Sequence, residues 1–106
     1  YHTELFSRYL AKLQATQDGD GSLLDHMTIL YGSGISNSTR HSGVDLPLML
    51  AGGGAGRLPS GRHLRFTEEP SMANLLVTLM DKMDVPVERI GGSTGILPID
   101  TLSGLL

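Results

Sequence analysis

The chain has 106 residues, of which 40% are hydrophobic, and a formal charge of −3. That size suits one small globular unit, and the slightly acidic balance offers no basic surface for phosphates, so no nucleic-acid partner is expected. Without cysteine the chain forms neither a disulfide framework nor a thiolate metal site, and no apolar run approaches the roughly 20 residues that cross a bilayer, so no transmembrane segment is expected.

In chain order, Leu5, Phe6, Tyr9, Leu10 and Leu13 recur at helical spacing, which predicts an amphipathic helix over Thr3 to Ala15. Glu4, Arg8 and Lys12 lie four apart on another of its faces, where opposite charges pair. Asp18 to Ser22 (DGDGS) is a cluster of turn formers that stops the helix and redirects the chain. Its alternating oxygens look like the start of a calcium loop, but position twelve, which needs an acid, is Ile29. The adjacent Asp25 and His26 offer an Asp-His pair of their own, but the position precedes the strand, and Asp25 reads as a turn or capping residue. Met27 to Tyr31 has the mix of branched, aromatic and aliphatic residues of a buried strand, and Leu46 to Ala51 reads the same way, entered through Pro47.

Between Gly52 and Arg62 glycine dominates, which predicts an exposed turn. A phosphate loop needs a helix N-terminus immediately after it, whereas here Pro59 and Gly61 intervene. Arg62, His63 and Arg65 read as a solvated basic strand edge. Glu68 and Glu69 before Pro70 favour a helix start, acids for the positive end of the dipole and proline for the first turn. Met72, Leu75, Leu76, Leu79, Met80 and Met83 then follow at i, i+3, i+4, i+7, i+8 and i+11, a helix whose methionines are expected in the core. Pro86 is expected to end it, and Gly91 to Gly95 with Pro98 predict a loose, loop-rich tail.

The polar loop between the two predicted strands, GSGISNSTRH, is the candidate site. Ligands bind preferentially in loops leaving the carboxyl ends of strands. Ser33, Ser36, Asn37, Arg40 and His41 supply hydroxyl, amide, guanidinium and imidazole groups suited to an anion or a metal. His41 is the one candidate metal ligand in the loop. A single imidazole binds metal weakly, so divalent metal, if the protein uses it, needs further donors.

The run DHMTILYGSG, the histidine loop and LPLMLAGG together resemble the C-terminal part of the alkaline phosphatase and sulfatase superfamily. More closely, the chain is similar to an uncharacterised family of exported bacterial proteins, domain of unknown function 1552. The resemblance runs through the helix ending in KL, the DGDGSLLD turn, the first strand, the histidine loop, the second strand and the leucine-rich helix. It implies an α/β fold, the chain being a C-terminal fragment of an alkaline-phosphatase-like three-layer α/β/α sandwich. Residues 1–106 are then one partial domain whose partner is the N-terminal remainder of that same domain. Starting at Tyr1 inside a helical pattern fits this expectation, with any export signal upstream and an exported or periplasmic location. Superfamily enzymes place an Asp-His pair just after the first of these strands to hold divalent metal. Here the corresponding positions are Gly34 and Ile35, neither able to ligate through a side chain. The resemblance therefore implies a binding or structural protein on that scaffold; the alternative is a metal-dependent hydrolase of phosphate or sulfate esters whose nucleophile lies upstream.

Overall fold

The computed structural model describes residues 1–66 and 68–100. The fold is α/β in the broad sense, combining helices with small antiparallel sheets. It divides into two compact units, one made of Tyr1–Gly32 with Leu48–Ser60, the other of Ser33–Pro47 with the chain from Gly61 onward.

The first unit opens with helix α1, His2–Ala15, close to the span its periodicity predicts. Its apolar stripe buries Leu13 and half-buries Phe6 and Leu10, while Leu5 and Tyr9 stay exposed. Glu4 and Arg8 pair at 2.7 Å on the solvent side, a contact worth only a few tenths of a kcal/mol (~0.3–0.5) at so exposed a site. The helix stops where Thr16 turns extended and its hydroxyl donates to Lys12 O at 2.7 Å. The DGDGS cluster then forms a hairpin, not merely a bend. Strands β1 (Gln17–Asp18) and β2 (Gly21–Ser22) pair antiparallel, with Gly19 at φ 64° making the turn, a conformation glycine adopts without steric penalty.

A 3-10 turn at Leu24–His26 follows. It opens on a reciprocal pair, the Ser22 N–H donating to Asp25 Oδ2 at 2.9 Å and the Asp25 N–H to Ser22 Oγ at 3.2 Å. This is capping-box logic, an S-x-x-D spacing that satisfies two backbone donors at once. Asp25 is thus a capping residue.

Strands β3 (Ile29–Gly32) and β4 (Leu48–Ala51) pair antiparallel with Ile29 opposite Ala51 and Tyr31 opposite Met49. Cross-strand partners share a face, so Tyr31 and Met49 lie on one side and Leu30 with Leu50 on the other. Phe6 of α1 stacks on Tyr31, ring centroids 4.1 Å apart and planes within 6°, which fixes the helix to that side. Both strands were expected to be buried. Instead Ile29, Leu30, Tyr31 and Leu50 are half-buried, and Leu48 and Met49 are exposed, because the ribbon has only two strands.

The glycine run is packed rather than fully exposed. The Gly53 N–H donates to Leu24 O at 3.0 Å and the Gly54 N–H to Met27 O at 2.9 Å, drawing this backbone onto the 3-10 turn. A Cβ on Gly53 would lie 2.5 Å from Asp25 O, and one on Gly52, at φ 101°, would collide with Met27 O. Close backbone approach is what demands glycine here. Leu58, just beyond, is buried.

In the second unit, helix α2 spans Met72–Lys82. Its cap is Ser71, whose hydroxyl accepts from the Ala73 N–H at 3.1 Å, so Pro70 precedes the cap and does not occupy the first turn. The helix ends before Pro86 can act. The Val85 N–H reaches Met80 O and the Asp84 N–H reaches Asp81 O, both at 3.0 Å, with Asp84 at φ 59°. These are the two bonds of a Schellman motif, with aspartate where glycine is usual.

The buried face of α2 differs from the one its leucines predict. Asn74, Leu75, Val77 and Thr78 are buried, whereas Met72, Leu76, Leu79 and Met80 are half-buried and Met83 is 61% exposed. The expectation of a core position for Met83 is therefore corrected. The cause is the tail, which lies along the Asn74 and Thr78 side. Asn74 Nδ2 donates to Thr94 Oγ1 at 3.2 Å and its Oδ1 accepts from the Thr94 N–H at 2.8 Å. The Thr78 hydroxyl accepts from the Leu97 N–H at 2.8 Å and has two acceptors for its own proton, Leu97 O at 2.8 Å and Asn74 O at 3.1 Å. Lys82 Nζ closes the clamp on both oxygens of Asp100, at 2.7 and 2.8 Å. The tail is irregular, as predicted, but pinned rather than loose, with Ser93 and Ile99 buried.

Candidate functional site

The five loop residues singled out from sequence separate into two roles. Ser33, Ser36 and Asn37 shape the backbone. The Ser33 hydroxyl donates to Ile35 O at 2.8 Å and accepts from the Ile35 N–H at 3.2 Å. The Ser36 N–H and hydroxyl both donate to Ser42 O, at 2.8 and 3.3 Å. Asn37 Oδ1 accepts from the N–H groups of Thr39 and Arg40, each at 3.0 Å, an Asx turn in which the side chain stands in for a backbone carbonyl. An antiparallel bridge between Asn37 and Ser42 closes the tip. Arg40 and His41 sit on that tip with exposed side chains. His41 adopts φ 51°, a left-handed conformation that a non-glycine residue takes at some cost and that marks tight loop tips.

The donors present do not suit a resident metal. Among the described residues no three His, Asp or Glu side chains gather into a group able to hold an ion. Gly34 and Ile35, where the resemblance leads one to expect an Asp-His pair, are exposed, and the peptide groups of Ile35 are taken up by Ser33. A metal bound at His41 would need donors from outside those residues, and a lone imidazole holds divalent ions weakly.

A second constellation lies in the first unit, where the sequence favours turn and capping roles. His26 Nδ1 lies 2.8 Å from Asp18 Oδ2 and His26 Nε2 3.4 Å from Asp20 Oδ1. The β1–β2 turn folds back on the 3-10 turn, which brings positions 18 and 20 to position 26. The hydrogen bond to Asp18 raises the His26 pKa above its ordinary 6.5; partial burial opposes this, and the negative charges of Asp18, Asp20 and Asp25 reinforce it. Asp25 is held below the usual carboxylate value, first by the Ser22 N–H and then by the Ser22 hydroxyl. Asp20, Gly21, Asp25, His26, Ala55 and Gly56 line a shallow, open depression of about 420 Å³. The sequence signal for this cluster is the D-G-D-G turn with a histidine just past it, legible once the turn is known to be a two-residue hairpin.

Among the described residues no helix is long and apolar enough to cross a membrane. No family model matches the chain, and no curated protein and no solved structure matches it either.

Proposed function

We propose that this chain is the C-terminal part of an exported protein on an alkaline-phosphatase-like α/β/α scaffold, akin to the domain of unknown function 1552, that has given up the superfamily's metal chemistry and serves a binding or structural role. The observation that carries this reading is the substitution of Gly34 and Ile35 for the metal-binding pair, in a loop whose serines and asparagine are spent on its own backbone. Metal-dependent ester hydrolysis stabilises the charge on the transferring group through ions held by several side chains, and this loop offers one imidazole and one guanidinium.

The layered scaffold is supported by the distribution of apolar surface. The β3–β4 ribbon carries apolar side chains on both faces, as strands covered on both sides do, yet α1 is fixed to one face through the Phe6–Tyr31 stack. The leucine stripe of α2 is half-covered. Both surfaces suit burial by the N-terminal remainder of the same domain, the partner this reading names.

The test is metal analysis of the intact protein together with turnover of an aryl phosphate and an aryl sulfate. No stoichiometric metal and no turnover are expected. Turnover that is abolished by His41→Ala would establish the hydrolase reading in place of this one.

A further inference from the structure

An imidazole with carboxylate oxygens facing both ring nitrogens is matched to its surroundings only when both nitrogens carry protons. His26 is in this position, with Asp18 2.8 Å from Nδ1 and Asp20 3.4 Å from Nε2. The neutral ring has one N–H and one lone pair. The shorter contact to Asp18 retains the remaining proton on Nδ1, which leaves the Nε2 lone pair pointing at the Asp20 carboxylate. Asp20 is 97% exposed, so little packing holds its carboxylate in place beyond that pairing.

We propose that His26 is a proton-controlled latch on the hairpin turn: its doubly protonated ring gathers Asp18 and Asp20 against the Leu24–His26 turn, and loss of the Nε2 proton releases Asp20 and opens the depression it walls. The consequence extends beyond the hairpin because the latched turn supplies the carbonyl of Leu24 that seats Gly53, and the adjacent Met27 carbonyl seats Gly54. Ala55 and Gly56 of that glycine segment also line the depression.

The charged groups that act on the ring are Asp18 of β1, Asp20 of the hairpin turn and Asp25 of its own turn. Of the elements packed against that turn, β2 is Gly21–Ser22 and the second 3-10 turn is Gly54–Gly56, neither with a titratable side chain. The last turn of α1 carries Lys12, whose charge is not among those that shift the imidazole. Arg57 caps the second of these turns and is likewise not among the groups that shift the imidazole; among the described residues the charges that do shift it are all negative, and its raised pKa accords with that geometry. The folded value lies above the unfolded 6.5, so the latch is fully closed below 6.5 and is lost as pH rises through the folded value. This inference is independent of the function proposed above.

The experiment is an NMR titration of the intact protein that follows the His26 ring and the Asp20 and Gly21 amides. The ring is expected to titrate above 6.5, with both amides moving in the same pH range. Asp18→Asn and Asp20→Asn should each lower the ring's titration point, Asp18→Asn the more. His26→Gln should abolish the amide titration. A ring titrating at or below 6.5, or amides that stay flat through its titration, overturns the latch. If His26→Gln fails to fold, Asp20→Asn decides, since that side chain is nearly free in solvent: an unchanged ring titration in this variant also overturns it.

Discussion

Thr78→Val tests the clamp that decides which face of α2 is buried. The substitution keeps shape and β-branching while deleting a hydroxyl that accepts from the Leu97 N–H and lies 2.8 Å from Leu97 O. Thr78 is buried, so these tail groups lose their partner in a site poorly supplied with water. Leaving a buried donor or acceptor unsatisfied costs about 1–3 kcal/mol, and each 1.4 kcal/mol is tenfold in an equilibrium. Opening of the tail should therefore become roughly 5- to 150-fold more favourable, read as faster native-state hydrogen exchange at the Leu97 amide. Thr78→Ser, which keeps the hydroxyl and loses one methyl, should leave that amide far better protected. If the valine variant protects Leu97 as well as wild type does, the hydroxyl clamp is not what holds the tail.

Gly53→Ala places a methyl 2.5 Å from Asp25 O and should cost about 1–3 kcal/mol, whereas Gly43→Ala, with open space around the new Cβ, should change stability by less than about 0.5 kcal/mol; denaturant midpoints compare the two, and equal effects would refute the packed-backbone account. Asp25 has a folded pKa below its ordinary 3.8, so its contribution to stability is complete above that value and disappears as pH falls through the folded one. Asp25→Asn should flatten that acidic portion of the stability curve, and an unaltered acid limb would show that the Ser22 pairing contributes nothing. Among the described residues no large side chain is completely enclosed and each sheet has two strands, so the isolated chain should melt without a sharp transition or aggregate on heating. A cooperative, reversible melt as a monomer contradicts this.

Much of the local structure was legible in the residues. The helix periods at Leu5 to Leu13 and Met72 to Met83 locate α1 and α2 within a few residues; the run Leu46 to Ala51 contains β4, and the run Met27 to Tyr31 overlaps β3, which begins two residues later and continues to Gly32. The loop from Ser33 to Asp45 was legible as a loop, but not that Ser33, Ser36 and Asn37 would turn inward on its own peptide groups while Arg40 and His41 remained outside. Small polar side chains serve ligands and backbone with the same atoms, and spacing does not say which of the two is nearer. The pairing of His26 with Asp18 and Asp20 is not legible along the chain for a related reason: these partners lie eight and six residues back in sequence, and only the reversal at Gly19 makes them neighbours.

By itself the sequence determined where the two long helices and the β3–β4 strands form, because hydrophobic period and turn chemistry act over a few residues, though not that DGDGS pairs as a hairpin. It also determined the S-x-x-D cap at Ser22 and Asp25, a contact between positions three apart. Only the tertiary structure decided which side of α2 is covered. The leucine stripe is the more apolar side, yet the tail settles where Asn74 and Thr78 satisfy its backbone groups. Likewise, the need for glycine at position 53 comes from a carbonyl twenty-eight residues earlier. Unsatisfied peptide groups and backbone collisions are set by residues distant in the chain, so a pattern read along the sequence carries no record of them.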